Sequence, residues 1–144
     1  MKTLATLAAL LVLALPAFAD GAPPPPAPPP MTVTTVVHNG SLMDVYSDGY
    51  GYIEIRYRDP RPGLWEVGVV PGTLLLTGKW RGAMLYATAY VFSFCGPVPY
   101  QVAGSQLPDG SLQLTGPAPI VDPFTCRVLD LGWTENAVLT FRRA

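Results

Sequence analysis

The sequence predicts an all-β domain, a small antiparallel β-barrel or β-sandwich of seven to nine short strands. Three observations carry this prediction. No stretch of residues 31–144 shows a sustained apolar repeat of 3.6 residues, and glycine or proline recurs every few positions. The runs between them are rich in Val, Tyr, Thr and Phe, the composition of short strands bounded by turns. A barrel or sandwich protects the strand edges that such a sheet would otherwise expose.

The first strands are defined by turn residues and by alternation. Asn-Gly at 39–40 and Asp-Gly at 48–49 tolerate positive φ and predict turns. They separate three predicted strands, 31–38, 41–47 and 52–58. In the last of these, apolar and charged side chains alternate, which predicts one buried and one solvated face. The apolar set is Ile53, Ile55 and Tyr57; the charged set is Glu54, Arg56 and Arg58.

Further strands are predicted along the rest of the chain. The prolines of 59–63 end the preceding strand because proline donates no ladder hydrogen bond, and 64–70 is predicted as a short strand. Three hairpins follow: 73–80 with 83–94, 99–105 with 111–116, and 126–133 with 137–143. Strand 83–94 is apolar on both faces, which predicts a central strand covered on both sides.

The N-terminal thirty residues predict export. Residues 1–19 combine Lys2, an apolar run of about a dozen residues and Ala17-Phe18-Ala19, the pattern of a signal peptide cleaved before Asp20. Residues 20–30, DGAPPPPAPPP, predict a solvated polyproline II linker, or a ligand for a proline-binding domain. The expected mature protein is therefore periplasmic or secreted, with one β domain at 31–144.

Composition narrows the expected partners. Without Lys2 the chain keeps eight basic and ten acidic side chains, with no lysine or arginine cluster, so nucleic acid is not an expected partner. Several predicted strands are shorter than the 9–11 residues of a tilted membrane-spanning strand. We therefore expect no stable membrane insertion after signal cleavage, and an unknown protein or glycan of the cell envelope as the partner.

Cys95 and Cys126 are the only two cysteines. An exported protein meets an oxidising compartment, where thiols pair, so a disulfide is predicted. The alternative is a nucleophilic Cys95 with His38, the single histidine, as its base. That alternative would leave Cys126 unpaired in an oxidising compartment.

No catalytic or metal site is predicted. A zinc site needs three or four ligands, and one histidine with a paired cystine does not supply them. No cofactor motif is present, so none is expected. A small envelope hydrolase using His38 with Asp44 or Asp48 is the enzymatic alternative, with Ser41 three residues after the histidine.

A binding patch is the remaining candidate site. Tyr, Trp and Arg, the residue types enriched at binding hot spots, are concentrated within 46–65. The candidate residues are Tyr46, Tyr50, Tyr52, Arg56, Arg58, Arg61 and Trp65. The alternative is that the aromatic rings complete a small core and the arginines are merely solvated.

Several motifs resemble a recurrent set of small secreted proteins of α-proteobacteria. They are HNGSLM (38–43), PRPGL (60–64), VPGTLL (70–75), AYVFSFCGPVPYQVAGS (89–105) and LTGPAPIVDPFTCRV (114–128). The resemblance implies a periplasmic or secreted location and pairing of the two cysteines, and no activity. The leading hypothesis is a non-enzymatic binding or envelope-associated module. The second is an inhibitor of an envelope-targeting hydrolase such as lysozyme.

Overall fold

The computed structural model describes residues 31–144. The predicted signal peptide (1–19) and proline-rich linker (20–30) lie outside the described residues. Ten strands and two single-turn 3-10 helices, Trp65–Val67 and Glu135–Ala137, make up the domain. The strands are β1 Thr32–His38, β2 Ser41–Ser47, β3 Tyr52–Asp59, β4 Leu74–Arg81, β5 Met84–Ser93, β6 Gly96–Gln106, β7 Leu112–Thr115, β8 Ala118–Val121, β9 Val128–Gly132 and β10 Val138–Arg143.

Eight of these strands form a closed antiparallel barrel in the order β1-β10-β7-β6-β5-β4-β3-β2. The remaining two, β8 and β9, pair only with each other, as a separate two-stranded sheet. The predicted all-β class is confirmed, and of the two predicted architectures the chain forms the barrel. It contains one strand more than the upper end of the predicted count, because β8, with Pro117 before it and Pro119 within it, carries no alternating pattern.

The predicted strands 41–47 and 52–58 are confirmed, and they pair with each other as a hairpin. Asn39 and Gly40, in the turn between β1 and β2, adopt φ of 47° and 78°. The sequence predicts this turn because both residue types tolerate positive φ. Ile53, Ile55 and Tyr57 are buried inside the barrel, and the charged side chains between them point outward. Alternation therefore predicted the correct register, because a slip by one residue would have placed the charges in the core.

The predicted strand at 64–70 is wrong. Trp65–Val67 form a 3-10 turn, and Gly68 ends it in the left-handed conformation with φ of 82°. The segment leaves the sheet and folds across one end of the barrel, where Val69 is fully buried. An apolar run that plugs a barrel end has the same composition as a short buried strand.

The predicted hairpin of 126–133 with 137–143 is also wrong. β9 pairs with β8, and β10 pairs with β7 and β1, which closes the barrel. The 3-10 turn at Glu135–Ala137 separates the two strands and redirects the chain. Barrel closure joins the two ends of the domain, a long-range pairing that local turn signals do not reveal.

The expectation that 83–94 is covered on both sides is wrong as well. Leu85, Ala87 and Ala89 fill the barrel interior, as the predicted face requires. On the opposite face Tyr86 is half exposed, and the Arg81 guanidinium lies 5.8 Å from its ring centroid. Only near the end of the strand is this face covered, where Phe92 packs against the core and edge-on to Tyr57.

The barrel has two ends, which we name after a residue at each. At the His38 end, β1, β3 and β5 finish and β2, β4 and β6 begin. At the Trp80 end the directions are reversed. Between them lies a core of buried apolar residues, whose largest fully buried side chains are Phe141, Met43, Ile55, Leu76 and Leu85.

Candidate functional site

The two cysteines form the predicted disulfide. Cys95 lies in the tight turn between β5 and β6, and Cys126 in the turn between β8 and β9, with their Cα atoms 5.3 Å apart. No free cysteine is present among residues 31–144. The bond joins the tips of two hairpins at the His38 end, and a stable cystine suggests an oxidising, extracytoplasmic compartment.

The hairpin of β8 and β9 projects from the barrel. β6 pairs with β7 only from Ala103 to Gln106, and the chain after β7 runs close to Gln101 without a ladder of hydrogen bonds to the first half of β6. Pro97 and Pro99 lie in that half, where β5 is the one hydrogen-bonded neighbour, so their missing N–H groups interrupt no second ladder. Of the projecting hairpin, only Ala118 and Pro119 at its base are buried. We call residues 118–133, with the Phe94-Cys95 turn bound to them, the cystine ribbon.

Large apolar side chains of the cystine ribbon are exposed to solvent. Phe124 is 94% exposed, Phe94 81% and Trp133 73%, and Leu129 and Leu131 are more than half exposed. Leu129, Leu131 and Trp133 occupy alternate positions, with Trp133 next to Gly132 at the base of the ribbon, whereas Phe94 and Phe124 lie at the two hairpin tips. We call these five residues, Phe94, Phe124, Leu129, Leu131 and Trp133, the apolar tip surface. Exposure of such a set on one projection is typical of interaction sites.

The ribbon carries few charges, and its carboxylates are held by local hydrogen bonds. Asp122 accepts the N–H groups of Phe124 and Thr125 at 2.8 and 3.1 Å, and these bonds lower the pKa of its carboxyl. Asp130 accepts the N–H of Leu131 at 2.8 Å. Arg127 is the one cation among residues 118–133, so the ribbon has a formal charge of 1 − 2 = −1.

A second candidate site is a cavity of about 200 Å³ at the His38 end of the barrel, the His38 cavity. Side chains from seven strands, from the loop after β3 and from the second 3-10 turn meet there, so that both polar and apolar groups line the cavity. The lining residues are His38, Asn39, Ser41, Tyr57, Arg61, Leu64, Leu75, Tyr90, Val91, Phe92, Tyr100, Glu135, Asn136 and Leu139. Mouths of small barrels are common places for ligand sites.

His38 is buried and its protonation state is set by its partners. Its Nδ1 lies 3.0 Å from the Thr140 carbonyl oxygen, which can only accept, so Nδ1 carries the proton and donates. Its Nε2 then accepts from the side-chain amide of Asn39 at 3.3 Å. The ring packs on Phe141 with centroids 4.8 Å apart. Burial lowers the pKa of His38 below its ordinary value of 6.5, and the Arg61 guanidinium lowers it further, against the opposing effect of the Thr140 bond.

This histidine should make the domain less stable in mild acid. Its pKa in the folded state is lower than in the unfolded chain, so the unfolded chain binds the proton more readily. Its contribution is complete above about pH 6.5 and is lost as the pH falls towards the folded pKa, with a slope of at most about 1.4 kcal/mol per pH unit. Urea unfolding between about pH 7.5 and about pH 5 should show this loss, and His38→Gln should remove it.

Three carboxylates with shifted pKa values do not complicate that measurement. The pKa values of Glu54, Asp109 and Asp122 are lowered from 4.5, 3.8 and 3.8, so these groups titrate mainly below the pH range of that measurement. An equal pH dependence in His38→Gln and the parent protein would contradict the assignment.

Two tyrosines of the His38 cavity are buried and neutral. Burial raises the pKa of Tyr57 and of Tyr100 to about 12 each. The Tyr100 hydroxyl donates to the Asn136 carbonyl oxygen at 2.5 Å, so it has no hydrogen left to donate to a ligand. Tyr57 lines the cavity, and its hydroxyl has no hydrogen-bond partner within residues 31–144. Arg61 lies close enough to lower the pKa of both Tyr57 and His38.

A larger and more apolar cavity, of about 320 Å³, opens at the Trp80 end. Val36, Val45, Ile53, Leu112 and Phe141 line it together with Trp80. Arg143 is the one charged residue that lines this cavity. The cavity therefore has fewer groups that could orient a ligand than the His38 cavity has.

The predicted patch of 46–65 is divided between the two ends of the barrel. Tyr46, Tyr52, Arg56 and Arg58 share the outer face of β2 and β3. Tyr50 lies in the turn at the Trp80 end and is exposed, whereas Arg61 and Trp65 follow β3 at the other end, with Trp65 half exposed.

The charges on the outer face of β2 and β3 compensate one another. Glu54 accepts from Tyr52 at 2.8 Å and from Arg56 at 2.8 Å, and these two partners lower the pKa of its carboxyl. Arg58 lies 2.7 Å from the Asp44 carboxylate. Polar groups already paired with each other have less to offer a partner, because binding would first have to break those pairs.

For the hydrolase hypothesis, the structure places Ser41 opposite His38 in the β1–β2 hairpin but brings neither Asp44 nor Asp48 to the histidine. His38 is occupied by Thr140 and Asn39, and Asp44 is on the outer face with Arg58. Asp48 lies at the Trp80 end, where it accepts the N–H groups of Tyr50 and Tyr52. The Ser41 hydroxyl accepts the backbone N–H of Arg61 at 2.9 Å. Within residues 31–144, no three His, Cys, Asp or Glu side chains come together as a potential metal site.

Sequence reasoning missed both the apolar tip surface and the His38 cavity. Phe94 and Phe124 adjoin turns beside the half-cystines, and apolar residues at hairpin tips were the available signal. The cavity joins residues as far apart as His38 and Leu139, so no local pattern could reveal it.

Comparison of the chain with protein-family models, with curated proteins and with solved structures gave no match. The resemblance to small secreted α-proteobacterial proteins therefore stays a prediction. In the part of the chain that the structure describes, no helix is long and apolar enough to cross a membrane.

Proposed function

We propose that this chain is a non-enzymatic binding module of the periplasm or the extracellular space, and that it contacts a protein partner through the apolar tip surface. The observation that carries the proposal is the exposure of Phe94, Phe124 and Trp133 on a projection braced by a disulfide. Solvating such side chains is unfavourable, at roughly 25 cal/mol per Å² of apolar surface. A partner that covers them gains that free energy on binding.

The chemistry of the ribbon favours a protein partner over a lipid surface. Membrane-binding apolar tips are usually accompanied by lysine and arginine, which attract anionic headgroups. The ribbon carries a single arginine and a net charge of −1. Phenylalanine, tryptophan and leucine on a rigid projection suit an apolar recess of another protein, where aromatic anchors supply most of the binding free energy.

Rigidity strengthens this argument. Cys126 has a φ of 57°, a conformation that few non-glycine residues adopt, and its N–H donates to the Asp122 carbonyl at 2.8 Å. The turn is therefore held by the disulfide and by hydrogen bonds before any partner arrives. A pre-ordered contact surface loses less conformational entropy on binding.

The second candidate function is inhibition of an envelope-targeting hydrolase such as lysozyme. The observation that favours it is that two hairpin tips, joined by the disulfide, carry the exposed side chains of Phe94 and Phe124, which would suit the cleft of an enzyme. Inhibition of a lysozyme at micromolar concentrations of this protein would support it. An enzyme fully active in a large molar excess of the protein would exclude that target.

The test of the proposed function is site-specific photo-crosslinking in cells that make the protein. A photoreactive phenylalanine analogue at Phe124 and at Leu131 should give the same discrete adduct, and the analogue at Tyr50 should not. With the partner identified and purified, Trp133→Ser should weaken binding about 30-fold, the effect of a hot-spot residue. The matched control Tyr50→Ser, which changes an equally exposed aromatic residue, should bind normally.

Several results would contradict the proposal. Equal adducts from Phe124 and Tyr50 would show that the apolar tip surface is not specific. Binding to vesicles of anionic lipid that depends on Trp133 would replace the protein partner by a lipid surface. A crosslink to a second copy of the chain, with dimers in solution that Trp133→Ser dissociates, would show self-association instead.

A further inference from the structure

A second ligand site, independent of the apolar tip surface, is suggested by the polar groups of the His38 cavity. Arg61 follows β3 and lines the cavity. No carboxylate within residues 31–144 forms an ion pair with it, whereas Arg56 and Arg58 both have such partners. An unpaired guanidinium at the mouth of a cavity is suited to a ligand anion, because it presents a planar fork of donors that matches a carboxylate.

The Tyr57 hydroxyl supplies a second donor at the same place. The residue is buried in the barrel mouth, its hydroxyl stays protonated at neutral pH, and that hydroxyl has no hydrogen-bond partner within residues 31–144. A hydroxyl that faces a cavity without a protein partner is free to donate to whatever enters. A ligand oxygen that accepts from Tyr57 would remain next to Arg61.

The other groups of the cavity restrict the ligand further. The hydrogen-bonding atoms of His38 and the hydroxyl of Tyr100 are already used within the protein. Leu75, Phe92 and Leu139 are among the apolar residues that line the cavity. The volume of about 200 Å³ is slightly larger than an apolar protein cavity of about 150 Å³ that binds benzene. The apolar part of a ligand must therefore be compact.

We propose that the His38 cavity binds a small organic carboxylate with a compact apolar body of about the size of benzene. Arg61 and Tyr57 bind the carboxylate, and Leu75, Phe92 and Leu139 contact the apolar body. Glu135 also lines the cavity, at its exposed rim, and its negative charge opposes the ligand. The site thus combines two attractive groups with one repulsive group, and all three can be tested by substitution.

The experiment is a titration of the mature protein with benzoate, followed by amide NMR. Saturable shifts are expected for residues around the His38 cavity, and the neutral isostere benzamide should bind at least about tenfold more weakly, because a charged hydrogen bond is lost. Arg61→Gln should weaken benzoate binding about tenfold or more and Tyr57→Phe about fivefold. Glu135→Gln should strengthen it.

The controls separate this site from the rest of the molecule. Arg127→Gln, a change of another exposed arginine, should leave benzoate binding unchanged, and variants of the apolar tip surface should do the same. The amide spectrum of each variant shows whether it is folded. Should Tyr57→Phe fail to fold, Arg61→Gln and Glu135→Gln still test the proposal. Both residues are exposed, so replacing them should not affect folding.

The proposal is overturned by any of three results. The first is the absence of saturable shifts at every soluble concentration of benzoate. The second is that benzamide binds as tightly as benzoate, or that the Arg61→Gln variant binds benzoate as tightly as the parent protein does. The third is a set of shifts confined to the Trp80 end, which would assign the ligand to the larger apolar cavity. None of these results bears on the apolar tip surface.

Discussion

Replacing Gly104 with alanine is expected to lower the free energy of unfolding by at least about 3 kcal/mol, at the upper end of the usual effect of overpacking. Gly104 lies in β6 between Leu85 of β5 and Leu114 of β7. A Cβ atom added to it would overlap the Gln113 carbonyl oxygen and lie 2.9 Å from the Leu114 Cα. Both are backbone atoms, so no side-chain rotation can relieve the contact.

The consequence extends beyond one pair of strands. β7 has only four residues and pairs with β10 on its other side, so moving it away from Gly104 would disturb the closure of the barrel. A domain of this size has a total stability of about 5–15 kcal/mol. Chemical denaturation of Gly104→Ala should therefore show a much lower midpoint than that of Ser105→Ala, a control at the next position. Free energies of unfolding that agree within about 0.5 kcal/mol would show that β6 and β7 adapt easily.

Gly104 also illustrates a limit of sequence reasoning. A glycine inside a strand indicates a bulge or a close backbone approach, but the sequence does not reveal which backbone approaches. In the structure it is β7, the next strand along the chain, and the same crossing recurs where Gly116 faces the Gln101 carbonyl. The turn residues between 105 and 111 predict that β6 and β7 are neighbours. The close approach of their backbones at Gly104 is seen only in the structure.

The parts of the fold that could be predicted are those governed by local chemistry. The turns at Asn39-Gly40 and Gly82 and the alternation in β3 fix neighbouring strands and their register. The mistakes arose where the local pattern is ambiguous or the pairing is distant. The segment 64–70 is apolar because it covers a barrel end, and β9 follows β8 into the ribbon instead of joining β10.

The candidate sites were harder to predict, for a physical reason. Phe124, Leu131 and Trp133 have the composition of core residues, and their exposure is a property of the fold. His38 followed by Asn-Gly has the pattern of a turn residue, yet it is buried against Phe141 by a pairing that links the first strand to the last. Composition gives the chemical type of a side chain, whereas burial depends on which distant segments cover it.

The disulfide is the feature whose removal should affect both stability and binding. Cys95 and Cys126 are 31 positions apart, and the loop between them contains β6, β7 and β8. Because two of these strands belong to the barrel, closing the loop restricts the unfolded chain as a whole. In the chain-entropy account, replacing both cysteines by serine should lower the free energy of unfolding by roughly 3–4 kcal/mol.

The double variant should still fold, because none of the barrel's strand pairs depends on the bond directly. Its loss is expected mainly at the ribbon, whose base alone is buried. Amide hydrogen exchange should therefore accelerate more in residues 118–133 than in β2 and β3, where it should accelerate only as far as the loss of global stability requires. The variant should also lose affinity for the partner of the apolar tip surface. Serine at one position only would leave a free thiol able to form intermolecular bonds, so the double change is the appropriate variant.

Reduction of the parent protein under the same conditions provides the control. It breaks the same bond without changing any residue, so it should shift the denaturation midpoint and the ribbon's exchange rates as the double substitution does. If both treatments left the exchange of residues 118–133 unaltered, the ribbon would owe its order to its own strand pairing and local hydrogen bonds. The disulfide would then not be the brace that the proposed function requires, and binding through a pre-ordered tip would have to be explained by β8 and β9 alone.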